Sequence, residues 1–327
     1  MLNATHAGEG LRNERHERMI DFPSRMPNDG IGEDAAFELF RRAIQTRSAR
    51  LDAPDAFAHM DPPPIPVAAR LVGLNAAFNQ NLLHREVSPF ATDVERQLIT
   101  WLAPAFGMTC GHLCAGSTLA NLTAMWRARE AGARRIIAST DAHISIAKSA
   151  HILGLPFEPV PVDPHGRLNP AALGDTRDAA LVLTAGSTGR GVIDTLAPIS
   201  CIWTHIDAAW AGPLRFSRVT GRLDGIEHAD SVAISAHKWL FQPKDSALIL
   251  FKASDAQAAI SFGGAYLASP NVGVQGSRSA AAIPLMATLM ALGRSGLAAL
   301  IEKNMTDAEA LAERLMDDPR TELKQWP

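Results

Sequence analysis

Ser231-Val-Ala-Ile-Ser-Ala-His-Lys-Trp239 is a short apolar run that leads straight into a basic and aromatic triplet. A run of that length reads as a buried strand from Ser231 to Ser235, with Lys238 just past its carboxyl end. In doubly wound sheets, ligands gather at such ends. An amine partly withdrawn from water there loses basicity, and its neutral form can attack a carbonyl. A lysine after a strand is ordinarily a surface residue, so Lys238 needs a partner before it signals chemistry.

The partner lies upstream. Trp203-Thr-His-Ile-Asp207-Ala-Ala-Trp210 is a second strand, and it closes on a carboxylate flanked by small and aromatic residues. Asp207 serves equally as an N-cap for a following helix or as the anion that keeps a pyridine nitrogen protonated. Ala209 is small enough to let a flat ring lie over the backbone.

Outward from this pair, helical and strand-like patterns alternate. Helices are expected over residues 117–131 and 144–153, and strands over 135–139, 158–162, 180–184 and 246–251. Short apolar strands separated by helices give an α/β fold with a mainly parallel central sheet, covered by helices on both faces. After Ser279 the chain is helical through Leu315. Thr92-Asp93-Val94-Glu95 has the spacing of a capping box and is expected to open a helix reaching Phe106. Phe37, Leu39, Phe40 and Ile44 mark a helix from Asp34, preceded by a loose polar arm. His59-Met60-Asp61-Pro62-Pro63-Pro64 cannot be helical and reads as a rigid crossing.

Gly116-Ser117-Thr118 is a small-residue turn that runs at once into a helix, and the free amides of that terminus suit an anion. The glycine-rich Gly186 to Gly191 fails as a nucleotide loop, because Val192 and Ile193 stand where Lys and Ser/Thr belong. His143, after a strand, is placed where an imidazole can stack on a bound ring. Cys110-Gly-His112-Leu-Cys114 lacks zinc spacing and a second ligand cluster, so no metal is expected.

Taken together, His205-Ile-Asp207-Ala-Ala-Trp210-Ala-Gly212 and Ser235-Ala-His237-Lys238-Trp239 resemble the group II pyridoxal-phosphate (PLP) dependent amino-acid decarboxylases. That family includes aromatic amino-acid, tyrosine and glutamate decarboxylases and has the fold of the aspartate aminotransferase superfamily, fold type I. The resemblance runs from about Phe57 to Leu315. It implies a Schiff base on Lys238, Asp207 beneath the pyridinium nitrogen, and His143 stacked on the ring. It implies phosphate contacts from Ser117, Thr118, Ser235 and His237, and a cofactor-side threonine at Thr188. It implies a homodimer with sites at the subunit interface, where residues near Gly276-Ser-Arg278 serve the neighbour. The reaction implied is decarboxylation of an L-amino acid to the amine.

Two departures stand beside the resemblance. Tyr266, the single tyrosine, does not match the loop tyrosine of many family decarboxylases; the short stretch ending in Gly-Ser-Arg looks more like archaeal tyrosine/aspartate decarboxylases and sphingosine-phosphate lyase. A PLP carbon–carbon lyase and a decarboxylation-coupled oxidative deaminase are therefore alternatives. The family also continues into a C-terminal small domain that is largely absent here, which adds a truncated, non-catalytic PLP-binding chain as a third. The expected organisation is an arm and helix over 1–60, a PLP-binding large domain over 61–296, and a connecting helix with the start of a small domain over 297–327.

The 327 residues carry a formal net charge of -3, which argues against nucleic acid or an anionic membrane as partner. Three cysteines make no disulfide framework, and no apolar run of bilayer length or signal peptide is read; a cytoplasmic enzyme is the expectation.

Overall fold

The computed structural model describes residues 22–54, 56 and 60–323. Contacts divide the chain after Phe57 into two units. The first contains helix α1 (Glu33–Arg47), which has no buried residue. Its apolar stripe forms as expected but faces solvent: Phe37, Phe40 and Ile44 are all exposed. The expected arm falls, over residues 1–21, outside the described residues, and so does His59 of the proline-rich crossing.

In the second unit α2 (Pro66–Phe78) follows the prolines, and α3 spans Pro89–Leu102. The capping box at Thr92 is not formed. Pro89, whose fixed φ suits a first helical turn, starts α3 three residues earlier, and Glu95 is engaged elsewhere. Then come β1 (Cys110–Cys114), α4 (Ser117–Glu130), β2 (Arg135–Ser139), α5 (Ile144–Leu153), β3 (Phe157–Val160), β4 (Ala179–Thr184), β5 (Trp203–Asp207), β6 (Ser231–Ser235), β7 (Ala247–Phe251), β8 (Ser261–Phe262), β9 (Asn271–Val272) and α6 (Ala282–Met316).

Among the described residues seven strands form one sheet in the order β1-β7-β6-β5-β4-β2-β3. The pairs from β3 to β6 are parallel, and β7 runs antiparallel to both its neighbours. β1 was not anticipated. Its Cys110, His112 and Cys114 alternate along one face, a strand's period of two that a search for metal spacing passes over.

That period sorts the sheet into two cores. Leu181, Leu183, Ile206, Val232, Ile234 and Leu248 face a core completed by α3 and α6. Ala180, Val182, Trp203, Ala233 and Ile249 face the other, beneath Ala124 and Met125 of α4 and Ile146 of α5. β4, β6 and β7 are buried along their whole length, as strands covered on both faces must be. Trp203, His205 and Asp207 therefore share the face under α4, a placement that governs the site.

α6 corrects another expectation. With Arg294 its single charge between Ala282 and Ile301, it is long and apolar enough to cross a membrane by length and composition. The helix bends at Gly293, whose φ of 64° and ψ of 179° are not helical, and it buries Leu285, Leu297 and Ile301 in the core.

Candidate active site

β5 and β6 lie side by side with Asp207 opposite Ala233, so their carboxyl ends open at one edge. β6 turns back into antiparallel β7 through residues 236–246, and Lys238 sits in that turn. The turn is held tightly. Ala236 N and His237 N donate to Ser246 O at 2.9 and 3.2 Å, Lys238 N donates to Ser235 O at 3.3 Å, and Gln242 N donates to Ala236 O at 3.1 Å. Phe241 and Asp245 adopt left-handed φ values of 54° and 64°, a conformation that side chains tolerate where surrounding contacts over-determine it.

Burial lowers the pKa of Lys238, and Asp207 and Asp61 act against that shift. Among the described residues its amine has no hydrogen-bond partner. Asp61, from the proline-rich crossing, is ion-paired with Lys244. Asp207 is 4% exposed and accepts from Asn121 Nδ2 at 2.9 Å and from Ala209 N at 3.1 Å. Both donors are neutral. A buried carboxylate with no cation hydrogen-bonded to it, close to a desolvated amine, is a charge arrangement completed by a protonated ring nitrogen.

Asn121 also donates to Ser145 Oγ at 2.8 Å and meets His205 Nε2 at 3.0 Å through its Oδ1. Ser145 Oγ lies 2.8 Å from His143 Nδ1. His143 is the N-cap of α5, and its Nδ1 accepts from Ser145 N at 3.2 Å. Asp207 and His143 are thus joined through Asn121 and Ser145. Burial pushes the pKa of His205 down to about 4.

At the other end, α4 begins at Gly116, whose φ of 110° favours glycine and which has no side-chain cap. The first amides, those of Ser117 and Thr118, have no partner within the helix. A Cβ on Gly116 would meet only His237 Cε1, at 4.0 Å, so the turn borders the lysine loop. Ser235 Oγ and His237 Nε2 are 3.1 Å apart, while His237 Nδ1 and Ser246 Oγ are buried without a partner. An unpaired ring nitrogen on His237, which borders the helix N-terminus, fits a phosphate.

The fold brings together Lys238, Asp207, Ala209, Ser235, His237, Gly116 and, through Asn121, His143. Thr188 stands apart in an exposed turn, with no hydrogen bond to these groups among the described residues. Thr184 is opposite Asp207 in register and carries a buried, unpartnered hydroxyl. Gln275 Oε1 accepts from Ala115 N at 2.8 Å, and Arg278 grips Glu95 of α3 with one contact at 2.7 Å, so both side chains are bonded within their own chain. The sequence reading passed over Asn121, Ser145, His205 and Ser246. The signal for His205 and Ser145 was spacing: each stands two residues from a residue already singled out. A cavity of about 890 Å³ is lined by Trp210, Trp239, Arg190, Leu214 and Met305 and by none of Lys238, Asp207 and His143.

Sheet order, strand-end lysine and buried aspartate define a PLP enzyme of fold type I. Residues 16–325 match the pyridoxal-dependent decarboxylase conserved domain. The chain is 34% identical to an L-2,4-diaminobutyrate decarboxylase of Rhizobium meliloti, over 93% of this chain and 68% of the relative. It is 27% identical to an aspartate 1-decarboxylase of Aliivibrio fischeri, again over 93% and 68%. A crystal structure of Oryza sativa TDC with PLP and tryptamine shares the fold, with a TM-score of 0.83, 20% identity, and coverage of 93% of this chain and 73% of that one. The chain belongs to the pyridoxal-dependent decarboxylase family: it is a PLP-dependent carboxy-lyase acting on an L-amino acid. These relatives do not favour the carbon–carbon lyase, the oxidative deaminase or the non-catalytic chain.

Proposed function

We propose that Lys238 carries the cofactor, that Asp207 holds the proton on its ring nitrogen, and that His143 lies against its ring over the small side chain of Ala209. The observation that carries this reading is the desolvated Lys238 amine near a buried carboxylate with only neutral donors. Lowered basicity leaves more of Lys238 as free amine, the form that attacks the cofactor's aldehyde carbon. Asp207, itself buried, would face the positive ring nitrogen from a preorganised position, where electrostatics act strongly. Gly116, Ser117 and Thr118 would hold the phosphate on helix amides, aided by Ser235 and His237. Thr188 would border the cofactor from its exposed turn. When bound, PLP supplies an electron sink for the pair released as the Cα–carboxylate bond breaks.

The substrate to try first is L-2,4-diaminobutyrate, on the strength of the R. meliloti relative; loss of carbon dioxide would give 1,3-diaminopropane. We also read the active form as a homodimer, a reading supported by the exposed Phe37, Phe40 and Ile44 of α1; light scattering that returns a monomer at working concentration would overturn it. The main test is a screen of amino acids with the purified, PLP-loaded protein. Expected are carbon dioxide and the matching amine, a visible absorbance band of the lysine-bound cofactor, and loss of both in Lys238→Ala. A band that survives in Lys238→Ala would overturn the assignment of the lysine.

A further inference from the structure

The buried polar groups beneath α4 form one directed chain of hydrogen bonds, and its ends fix the direction. Trp203 Nε1 can only donate, and it does so to Ser231 Oγ at 2.8 Å. The Asp207 carboxylate accepts, so the Asn121 atom 2.9 Å from its Oδ2 is the amide nitrogen and not the oxygen. Asn121 Oδ1 consequently faces His205, whose Nε2 must carry a proton to donate across 3.0 Å. His205 is neutral at pH 7, burial having pushed its pKa to about 4. Its Nδ1 is therefore bare and accepts from Ser231 Oγ at 2.9 Å, the nearer of its two neighbours, the Ser231 carbonyl lying at 3.2 Å. That serine has its proton free for this bond because Trp203 occupies it as an acceptor.

The second arm of Asn121 follows the same logic. Nδ2 donates to Ser145 Oγ at 2.8 Å, which turns the single hydroxyl proton of Ser145 toward His143 Nδ1, 2.8 Å away. The same Nδ1 accepts from the backbone amide of Ser145 at 3.2 Å. An imidazole nitrogen that accepts two donors carries no proton, so the ring proton of His143 is on Nε2. Among the described residues Nε2 has no partner. Asn121, Ser145, His205 and Ser231 are each no more than 1% exposed, so water does not substitute for any link.

We propose that Asn121 is a positioning residue whose one amide clamps Asp207 and, through Ser145, fixes His143 as the Nε2–H tautomer, so that the site presents an oriented N–H donor. The tautomer stands on the chain alone; its effect on turnover rests on His143 and Asp207 serving the cofactor.

Long-range ¹H–¹⁵N spectra of ¹⁵N-histidine-labelled protein, with and without PLP, test the tautomer. The expected result is a bare Nδ1 and a protonated Nε2 on His143 in both forms; a proton on Nδ1 overturns the proposal, whatever the fate of the decarboxylase reading. Ser145→Ala cuts only the His143 arm. It should lower kcat about tenfold, the weight of about one hydrogen bond, and leave the PLP dissociation constant within about threefold. Asn121→Ala cuts both arms, so it should also weaken PLP about tenfold and let both His143 tautomers appear. Unchanged kcat in Ser145→Ala, or an unchanged PLP constant in Asn121→Ala, refutes the positioning role; Ser145→Ala settles the matter if Asn121→Ala does not fold.

Discussion

The two ends of the site differ in how completely the chain satisfies its own polar groups. At the ring-nitrogen end Asp207, Asn121, His205, Ser231 and Ser145 are buried and bonded to one another, and the Thr184 hydroxyl beside Asp207 stands outside that network without a partner. At the phosphate end His237 Nδ1 and Ser246 Oγ are buried without partners, and α4 starts on an uncapped Gly116. A closed network holds its shape whether or not a ligand is present, because each lost bond would leave a partner stranded in a low dielectric. An open cluster gains its missing bonds only from what binds there. In the proposed function the first end is the rigid one that sets electronics, and the second is the one that captures.

Asp207→Asn should break this contrast most severely. The amide removes the charge but keeps the size, and an uncompensated buried charge typically costs about 3–5 kcal/mol. Activity of the PLP-loaded enzyme should fall by about a hundredfold to a thousandfold, with the absorbance band blue-shifted or weakened. A variant within about threefold of wild type would show that the nitrogen end does not set the electronics.

Arg278 ties the stretch after β9 to Glu95 of α3, and this pair is nearly buried, with side-chain exposures of 18% and 10%. Arg278→Ala strands the Glu95 carboxylate and should destabilise the fold by about 3–5 kcal/mol in denaturant titration. Replacing both partners, Glu95→Leu with Arg278→Met, should recover most of that loss, because desolvation of the pair offsets its attraction. If the double variant is as unstable as the single, the pair contributes more than a bracing contact.

Much of this was legible in the sequence. Lys238 and Asp207 announce themselves because each follows a short apolar strand, and a strand end is a local feature. The helices and strands from Gly116 to Phe251 carry clear periods, and they form within one or two residues of expectation. What was hidden depends on contacts distant in sequence. Asn121 looks like a helix-surface polar residue until α4 is laid across β5. Thr92 and Glu95 look like a capping box until Arg278, far along the chain, claims the glutamate. β1 is obscured because two cysteines and a histidine draw attention to metal chemistry. Thr184 was not singled out, because only the pairing of β4 on β5 sets it opposite Asp207.

Acid should destabilise the fold through two buried imidazoles, His205 of the closed network and His112 of β1. The pKa of His205 falls from 6.5 to about 4 on burial, and that of His112 falls to about 3. Because the folded pKa lies below the unfolded one, the unfolded chain takes up protons first as pH drops. The stabilisation is complete above about 6.5 and is lost as pH falls toward 4. Between pH 7 and pH 5 each histidine should cost about 2 kcal/mol of unfolding free energy, read by guanidinium melts of the cofactor-free protein. A stability unchanged over that interval would mean that these imidazoles are hydrated and the network is open.

The smallest expected effect discriminates best between the two ends. Ser246→Ala removes a hydroxyl that is buried and bonded to nothing within the chain, so its loss relieves a desolvation cost without stranding a partner. Cofactor-free protein should be as stable as wild type or more stable by up to about 1 kcal/mol. PLP binding should nonetheless weaken by about fivefold to tenfold, if that hydroxyl finds its partner in the phosphate. Ser145→Ala, at the closed end, reverses both signs: the chain loses stability and PLP affinity stays nearly constant. Opposite responses from two buried serines would establish that one end of the site is completed by the fold and the other by its ligand. Matching responses would collapse the distinction.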